Sequence, residues 1–191
     1  MTAPITVVTP SISPRCGPGG LLARAVASVR AQTLQPEGGI SVALDVDRRG
    51  AAATRQRALD AVRTEWCAFL DDDDTWYPHH LATLWKLAEE SGADVAHSWF
   101  DGNDPFPMHR GRQFDPKDPH HLTMTLLVRT KLAKAAGFLQ PDGPMHQEWF
   151  GEDWQFILRL RDLGAKFIGT DEVTWTYQVH GGNTSGLPSR W

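Results

Sequence analysis

A chain of 191 residues is enough for one well-buried domain with a small appendage and too short for two comfortable ones. With 41% hydrophobic and 22% charged residues and a net charge of −4, it has an ordinary globular composition without a basic block, so electrostatics give no support to a nucleic-acid partner. No apolar run approaches the ~20 residues of a membrane-spanning helix, no signal-peptide pattern opens the chain, and two cysteines cannot build a disulfide framework; the expectation is a cytoplasmic protein without a membrane span.

Ile5 to Thr9 is β-branched, stops at Pro10 and predicts a first strand, followed by a loop rich in Ser, Pro and Gly up to Gly20. Leu22, Val26 and Val29 recur at helical spacing and predict a helix over 21–33. Ile40 to Leu44 is a second strand closed by Asp45, and after Gly50 the residues Ala51, Arg55, Leu59 and Val62 share a face of a second helix. Trp66 to Leu70 predicts a strand covered on both faces. It runs into four consecutive aspartates, Asp71 to Asp74, whose like charges repel unless something cationic stands beside them. A helix from about Pro78 to Glu90, ended by Gly92, and a strand from Asp94 to Trp99 follow.

This alternation implies crossover units, hence an α/β fold with a mostly parallel central sheet flanked by helices. Ligands of such sheets bind beyond the carboxyl ends of the strands. Three of those ends are Thr9-Pro10-Ser11, Asp45-Val46-Asp47 and the aspartate run. Residues 101–121, rich in Pro and Asp, read as a long loop, and a loop this long in a compact domain is functional or disordered. Met124 to Val128 predicts a strand and Thr130 to Ala136 a short helix ending at Gly137. In GEDWQFILRLRDLG, Asp153, Ile157 and Leu160 lie along one helical face with Gly164 as the cap. Lys166 to Gly169 and Val173 to Val179 predict two closing strands. The pairs His79-His80 and His120-His121 read as solvated surface, Trp149 and Trp154 as core or pocket wall, and Cys16 as an incidental thiol.

The stretches ITVVTPS, LLARAVASVRAQTL, RGAAATRQRALDAVRTEWCAFLDDDDTWYP, GFLQPDG, GEDWQFILRLRDLGAKF and WTYQVHGGNTSG, in this order and spacing, resemble the family-two glycosyltransferases of the GT-A fold. The resemblance implies a nucleotide-diphospho-sugar transferase fold in a single domain, 1–191. About 1–100 would bind the nucleotide sugar and about 101–191 would carry the acceptor and catalytic part. It implies a metal-dependent, inverting transfer from a nucleoside diphosphate sugar, a UDP-sugar first, to a hydroxyl acceptor of unspecified kind. Asp71, Asp72 and Asp73 fit its Asp-x-Asp element: Asp71 toward the nucleotide ribose, Asp72 in the nucleotide-sugar site, Asp73 as a ligand of Mn2+ or Mg2+. His180 is a second metal ligand or diphosphate contact. Of Glu152 and Asp153, Asp153 is the first choice as catalytic base and Glu152 the alternative. Thr9, Pro10 and Ser11 belong to the nucleotide-sugar site, and Asp45 resembles a nucleobase contact, with Asp47 left open. Arg49 and Arg55 resemble nucleotide or diphosphate contacts.

Plainer readings stand beside these. The aspartates also suit a turn capping the helix near Pro78, and acids enrich first helical turns in any case. Arg49 and Arg55 also suit surface charges or a salt bridge to Asp60 or Glu65. The chain departs from the family in Ser11-Ile12, which replaces a polar-aromatic pair, and in the compressed segment 40–50. A sugar-1-phosphate nucleotidyltransferase is the enzymatic alternative; its glycine-rich, arginine-containing loop after the first strand is matched poorly in spacing by TPSISPRCGPGG. A non-catalytic sugar-nucleotide or glycan-binding module is the third reading.

Overall fold

The computed structural model describes residues 1–102, 125–138 and 151–177. Of the loop expected over 101–121, Asp101 and Gly102 instead end a strand, and the rest, with Trp149 and His180, lies outside the described residues. The elements in chain order are β1 (Thr2–Ala3), β2 (Ile5–Ser11), α1 (Leu21–Arg30), β3 (Gln35–Pro36), β4 (Ile40–Leu44), α2 (Gly50–Asp60), β5 (Trp66–Phe69) and β6 (Thr75–Trp76). Then come α3 (His80–Ser91), β7 (Val95–Gly102), β8 (Leu126–Arg129), α4 (Thr130–Ala136), α5 (Glu152–Asp162) and β9 (Phe167–Tyr177).

A seven-stranded sheet has the order β4-β2-β5-β8-β7-β9-β6. β4 and β5 flank β2 in parallel, β8 lies antiparallel between β5 and β7, β9 is parallel to β7, and β6 is antiparallel to β9. Five of the seven strands thus share one direction, as the strand–helix alternation requires, while the buried run of β8 is threaded in against them. β1 and β3 pair as a separate two-stranded parallel sheet.

Side chains alternate across β5, and each set joins its own core. Trp66, Ala68 and Leu70 pack with α1 through Ala25 and Val29 and with α3 through Leu81 and Leu84. Cys67 and Phe69 pack on the other face with Leu59 of α2, Ala133 of α4, and Phe156, Ile157 and Leu160 of α5. The core therefore has two layers, with the sheet between them. Burial pushes the Cys67 thiol up to about 12, so it behaves as an apolar core group.

Several details differ from the sequence reading: β2 runs on through Pro10 to Ser11, and the short strands β1, β3 and β6 add to those expected. α1 ends at Arg30 rather than 33, and α2 turns Ala52, Arg55, Ala58 and Leu59 inward while Ala51 is exposed. The two closing strands are one strand, β9, whose ladder with β7 shifts register between His97 and Phe100. The His97 ring packs on Gly169 where a Cβ would stand, so the position admits only glycine. His80 is buried rather than solvated: its Nδ1 meets Thr174 Oγ1 at 2.6 Å and its ring stacks on Trp76.

Candidate active site

β2 runs past its neighbour. Its last partner in β5 is Val8 opposite Phe69, yet it continues along β4 to Ser11 opposite Leu44. The overhang brings Ser11 beside the aspartate run that leaves β5. Ser11 Oγ donates to Asp72 Oδ2 at 2.6 Å. A short 3-10 turn, Ser13–Arg15, then folds back over the same group. Arg15 Nη1 donates to Asp72 Oδ1 at 2.6 Å and to Asp73 Oδ2 at 2.9 Å. Burial works against the charged Arg15, and Asp72 followed by Asp73 outweigh it, so its pKa is raised. Asp72 and Asp74 are buried, whereas the Asp71 and Asp73 side chains keep 24% and 12% exposure and remain accessible to a ligand.

A second cation lies deeper. Arg55, on the inward face of α2 and 2% exposed, donates from Nη2 to Asp71 Oδ1 at 2.8 Å. Its Nη1 donates to Asp153 Oδ1 at 3.1 Å and Glu152 Oε1 at 3.3 Å. Phe138 covers the guanidinium, 5.2 Å from the ring centroid. Desolvation alone would lower the Arg55 pKa; Asp71, Asp153 and Glu152 reverse that and raise it. Asp60 and Glu65, its partners in the plainer reading, are engaged elsewhere, with Gln56 and Arg129 respectively.

Glu152 and Asp153 occupy the first turn of α5, where carboxylates complement the helix dipole. Ile157 and Leu160, one and two turns on, anchor the helix in the core. Trp154 belongs to that core, too. One arginine thus joins the end of β5 to the start of α5, although 81 residues separate Asp71 from Glu152 in sequence.

Asp45 accepts from the backbone N–H of Arg49 on Oδ1 (2.8 Å) and of Gly50 on Oδ2 (2.9 Å), so it caps the amino end of α2 with its own carboxylate. Asp47 is exposed. Thr9 and Pro10 are buried in the sheet, and of that trio Ser11 is the residue the structure links to the aspartates. Arg49 is the N-cap residue of α2 and is exposed.

The donor set suits a hard cation in part. Asp71 and Asp73 offer the carboxylate oxygens that Mg2+ and Mn2+ prefer. Among the described residues no group of three or more His, Cys, Asp and Glu side chains is arranged to hold a metal ion. One or two carboxylates with phosphate oxygens completing the shell is a common arrangement for Mg2+, so Asp73, with Asp71 beside it, fits a cation that arrives with a diphosphate.

Arg15 escaped the sequence reading, although it is the sole charged residue between Pro10 and Gly20. A second missed group closes the same edge: Tyr77 Oη donates to Asp101 Oδ2 at 2.7 Å, and Thr176 Oγ1 to Asp101 Oδ1 at 3.0 Å. An open cavity of about 510 Å³ lies at the opposite, amino end of β5, between Val62–Glu65 and Arg129–Lys134. There Arg63 and Lys134 donate to the carbonyl oxygens of Asp60 and Val62 that close α2, which accounts for those cations.

Residues 23–150 match the profile of Glycosyl transferase family 2. Among solved structures the chain is similar to S. aureus TarS 1-349 in complex with UDP-GlcNAc, with TM-score 0.70 and 16% identity over 94% of this chain and 59% of that one. It is similar to TarS 1-349 in complex with UDP, with TM-score 0.68 and 16% identity over 92% and 60%. It is also similar to the mannosyltransferase PcManGT from Pyrobaculum calidifontis in complex with GDP-Man and Mn2+, with TM-score 0.69 and 15% identity over 93% and 57%. The chain therefore spans less than two thirds of the length of these proteins, and the likeness shows the fold, GT-A. No curated protein matches the chain by sequence.

Proposed function

The chain belongs to glycosyl transferase family 2, and on that premise we propose that it moves a sugar from a nucleoside diphosphate donor to an acceptor hydroxyl, inverting the anomeric carbon and binding Mn2+ or Mg2+. The observation that carries this reading is the Arg55 clamp, which ties Asp71 on the donor side to Glu152 and Asp153 on the acceptor side. Residues from about 1 to 100 serve the donor, with the acceptor side supplied from 101 onward.

Asp153 receives the acceptor proton as the acceptor oxygen bonds to the anomeric carbon. The bond from that carbon to the diphosphate oxygen breaks in the same displacement, and its electron pair leaves with the nucleoside diphosphate. One displacement inverts the centre. Arg55 holds Asp153 in line, and Glu152 is the alternative base on the same turn. Asp71 faces the nucleotide sugar, with Asp72, Thr9, Pro10 and Ser11 forming the buried floor behind it; Asp45 and Arg49 border the nucleobase and phosphates. Asp73, with His180, would hold the cation, which supplies positive charge to the departing diphosphate oxygens. Among the described residues no helix is long and apolar enough to cross a membrane. Cys16 and Cys67 are both free thiols, which suits a reducing cytoplasm.

The test is a panel of sugar nucleotides led by UDP-GlcNAc and GDP-mannose, the donors held by TarS and PcManGT. Melting temperature and donor consumption are followed with Mn2+, with Mg2+ and with EDTA, since a bound ligand raises stability by mass action. Metal-dependent stabilisation by one donor is expected. Equal nucleotide affinity in EDTA would remove the cation from the reading, and a product with retained anomeric configuration would remove the inverting step.

A further inference from the structure

We infer that Arg15 is a positioning residue for the donor diphosphate: it holds Asp72 and Asp73 in the ligand-free molecule, and it exchanges Asp73 for the diphosphate when a divalent cation enters with the donor. The inference rests on the proposed glycosyl transfer and adds a residue outside the Asp-x-Asp element.

A single nitrogen, Nη1, bridges the two neighbouring carboxylates, at 2.6 and 2.9 Å. The two bonds differ in what would replace them. Asp72 is buried and keeps Ser11 on its other oxygen, so it stays in place if Arg15 leaves. Asp73 is the more exposed of the two and is the carboxylate that suits a cation in the proposed site. A guanidinium on Asp73 Oδ2 repels a divalent ion on the same carboxylate, so the two compete for it.

The loop is built for that exchange. The 3-10 turn carrying Arg15 has no buried residue, and its side chain is 21% exposed against 2% for Arg55. Gly20 packs closely on the same turn, where a Cβ would meet the carbonyl oxygens of Arg15 and Gly17 at 2.7 and 2.8 Å. The exchange needs a movement of the Arg15 side chain alone. The planar fork of an arginine matches two phosphate oxygens, and a diphosphate bound against Asp73 would lie within its reach. Arg55, enclosed by three carboxylates, has no such freedom.

The experiment is titration calorimetry of Mn2+ alone, and of UDP and GDP at saturating Mn2+, on wild type, Arg15→Gln and Arg15→Lys. Removing the competing charge should tighten Mn2+ alone by about 5-fold or more in Arg15→Gln, while the preferred nucleotide weakens by about 10-fold, the scale of one charge-assisted hydrogen bond. Arg15→Lys keeps the charge and loses the fork, so Mn2+ affinity should stay near wild type while nucleotide affinity falls. Opposite movement of the two affinities supports the exchange. A parallel loss of both, as a mere prop for the aspartates would give, overturns it; so does an unchanged Mn2+ affinity, or no Mn2+ binding in any variant. Should the Mn2+ affinities shift as expected while no sugar donor is consumed, the transferase reading fails and the competition between Arg15 and the metal stands.

Discussion

Two arginines face acidic residues at one edge of the sheet, and they differ in burial and in the span they bridge. Arg55 is enclosed, 2% exposed, and joins carboxylates from β5 and α5. Arg15 rises from an exposed turn, 21% exposed at its side chain, and joins two neighbours of one acidic run. The chemistry of the contacts is the same and the consequences are opposite. A buried ion pair broken on one side leaves uncompensated charge away from water, so it cannot open without great cost. In the Arg15 contacts Asp72 is as enclosed as Arg55, whereas Asp73, 12% exposed, is the partner that water or a ligand can reach. The deep pair therefore fixes Glu152 and Asp153, the proposed base among them, and the shallow pair is the one that the proposed exchange would rearrange.

The hardest way to break this contrast is Arg55→Ala. It leaves Asp71, Glu152 and Asp153 facing each other, and unfolding free energy should fall by ~3–5 kcal/mol, the scale for one partner lost from a buried ion pair. Urea denaturation measures this; a loss under ~1 kcal/mol would mean that the clamp is no more than a surface contact. Next comes Asp153→Asn, which keeps the shape and removes the proton acceptor. Under saturating donor, transfer should drop by ~10²-fold or more with donor affinity retained. Glu152→Gln should cost less, and the reverse ranking would move the base to Glu152.

Burial without a compensating charge sharpens the comparison. His80 is held neutral at about 3 by burial and then by neighbouring His79, and His97 at about 4 by burial. Both lie below the ordinary value of about 6.5, so the unfolded chain takes up protons that the folded one refuses. Their contribution is complete above about pH 6.5 and is lost as pH falls toward the folded values. At pH 5.5 each histidine should cost about 1.4 kcal/mol relative to pH 7.5. Urea midpoints at the two pH values test this, and equal midpoints would show that neither ring is held neutral. A smaller loss than that of Arg55→Ala is expected at Arg15: Arg15→Gln takes one partner from the buried Asp72, which keeps Ser11, so stability should fall by ~1–3 kcal/mol while ligand affinities change. A loss as large as that of Arg55→Ala would erase the distinction between the two arginines.

Much of the edge was legible in the chain. Strand β4 and helix α4 have the ends that the sequence predicts, because a β-branched run closed by Asp45 and a short helical segment closed by Gly137 carry their own stop signals. The aspartate run announced itself by following a buried strand. Less was legible where partners come from far apart. Nothing local distinguishes Arg55 from any inward helical arginine until α5 is laid against β5. Nor does the loop of Arg15 reveal that β2 outruns β5 and turns its arginine onto Asp72. His80 looked like half of a surface pair because its covering residues, Trp76 and Thr174, meet it only through β6 and β9.

By itself, then, the sequence determined the main helices and the strands β2, β4, β5, β7 and β8, the shared direction of most strands, and the acidic end of β5, since periodicity, turn residues and charge are local properties. The tertiary structure alone decided that β8 enters against its neighbours, that β9 is one strand with a bulge next to His97, and that two arginines, one buried and one partly exposed, divide the carboxylates between them. Strand pairing and burial depend on which distant surfaces meet, and the energy of a charge depends on how much water that meeting leaves beside it.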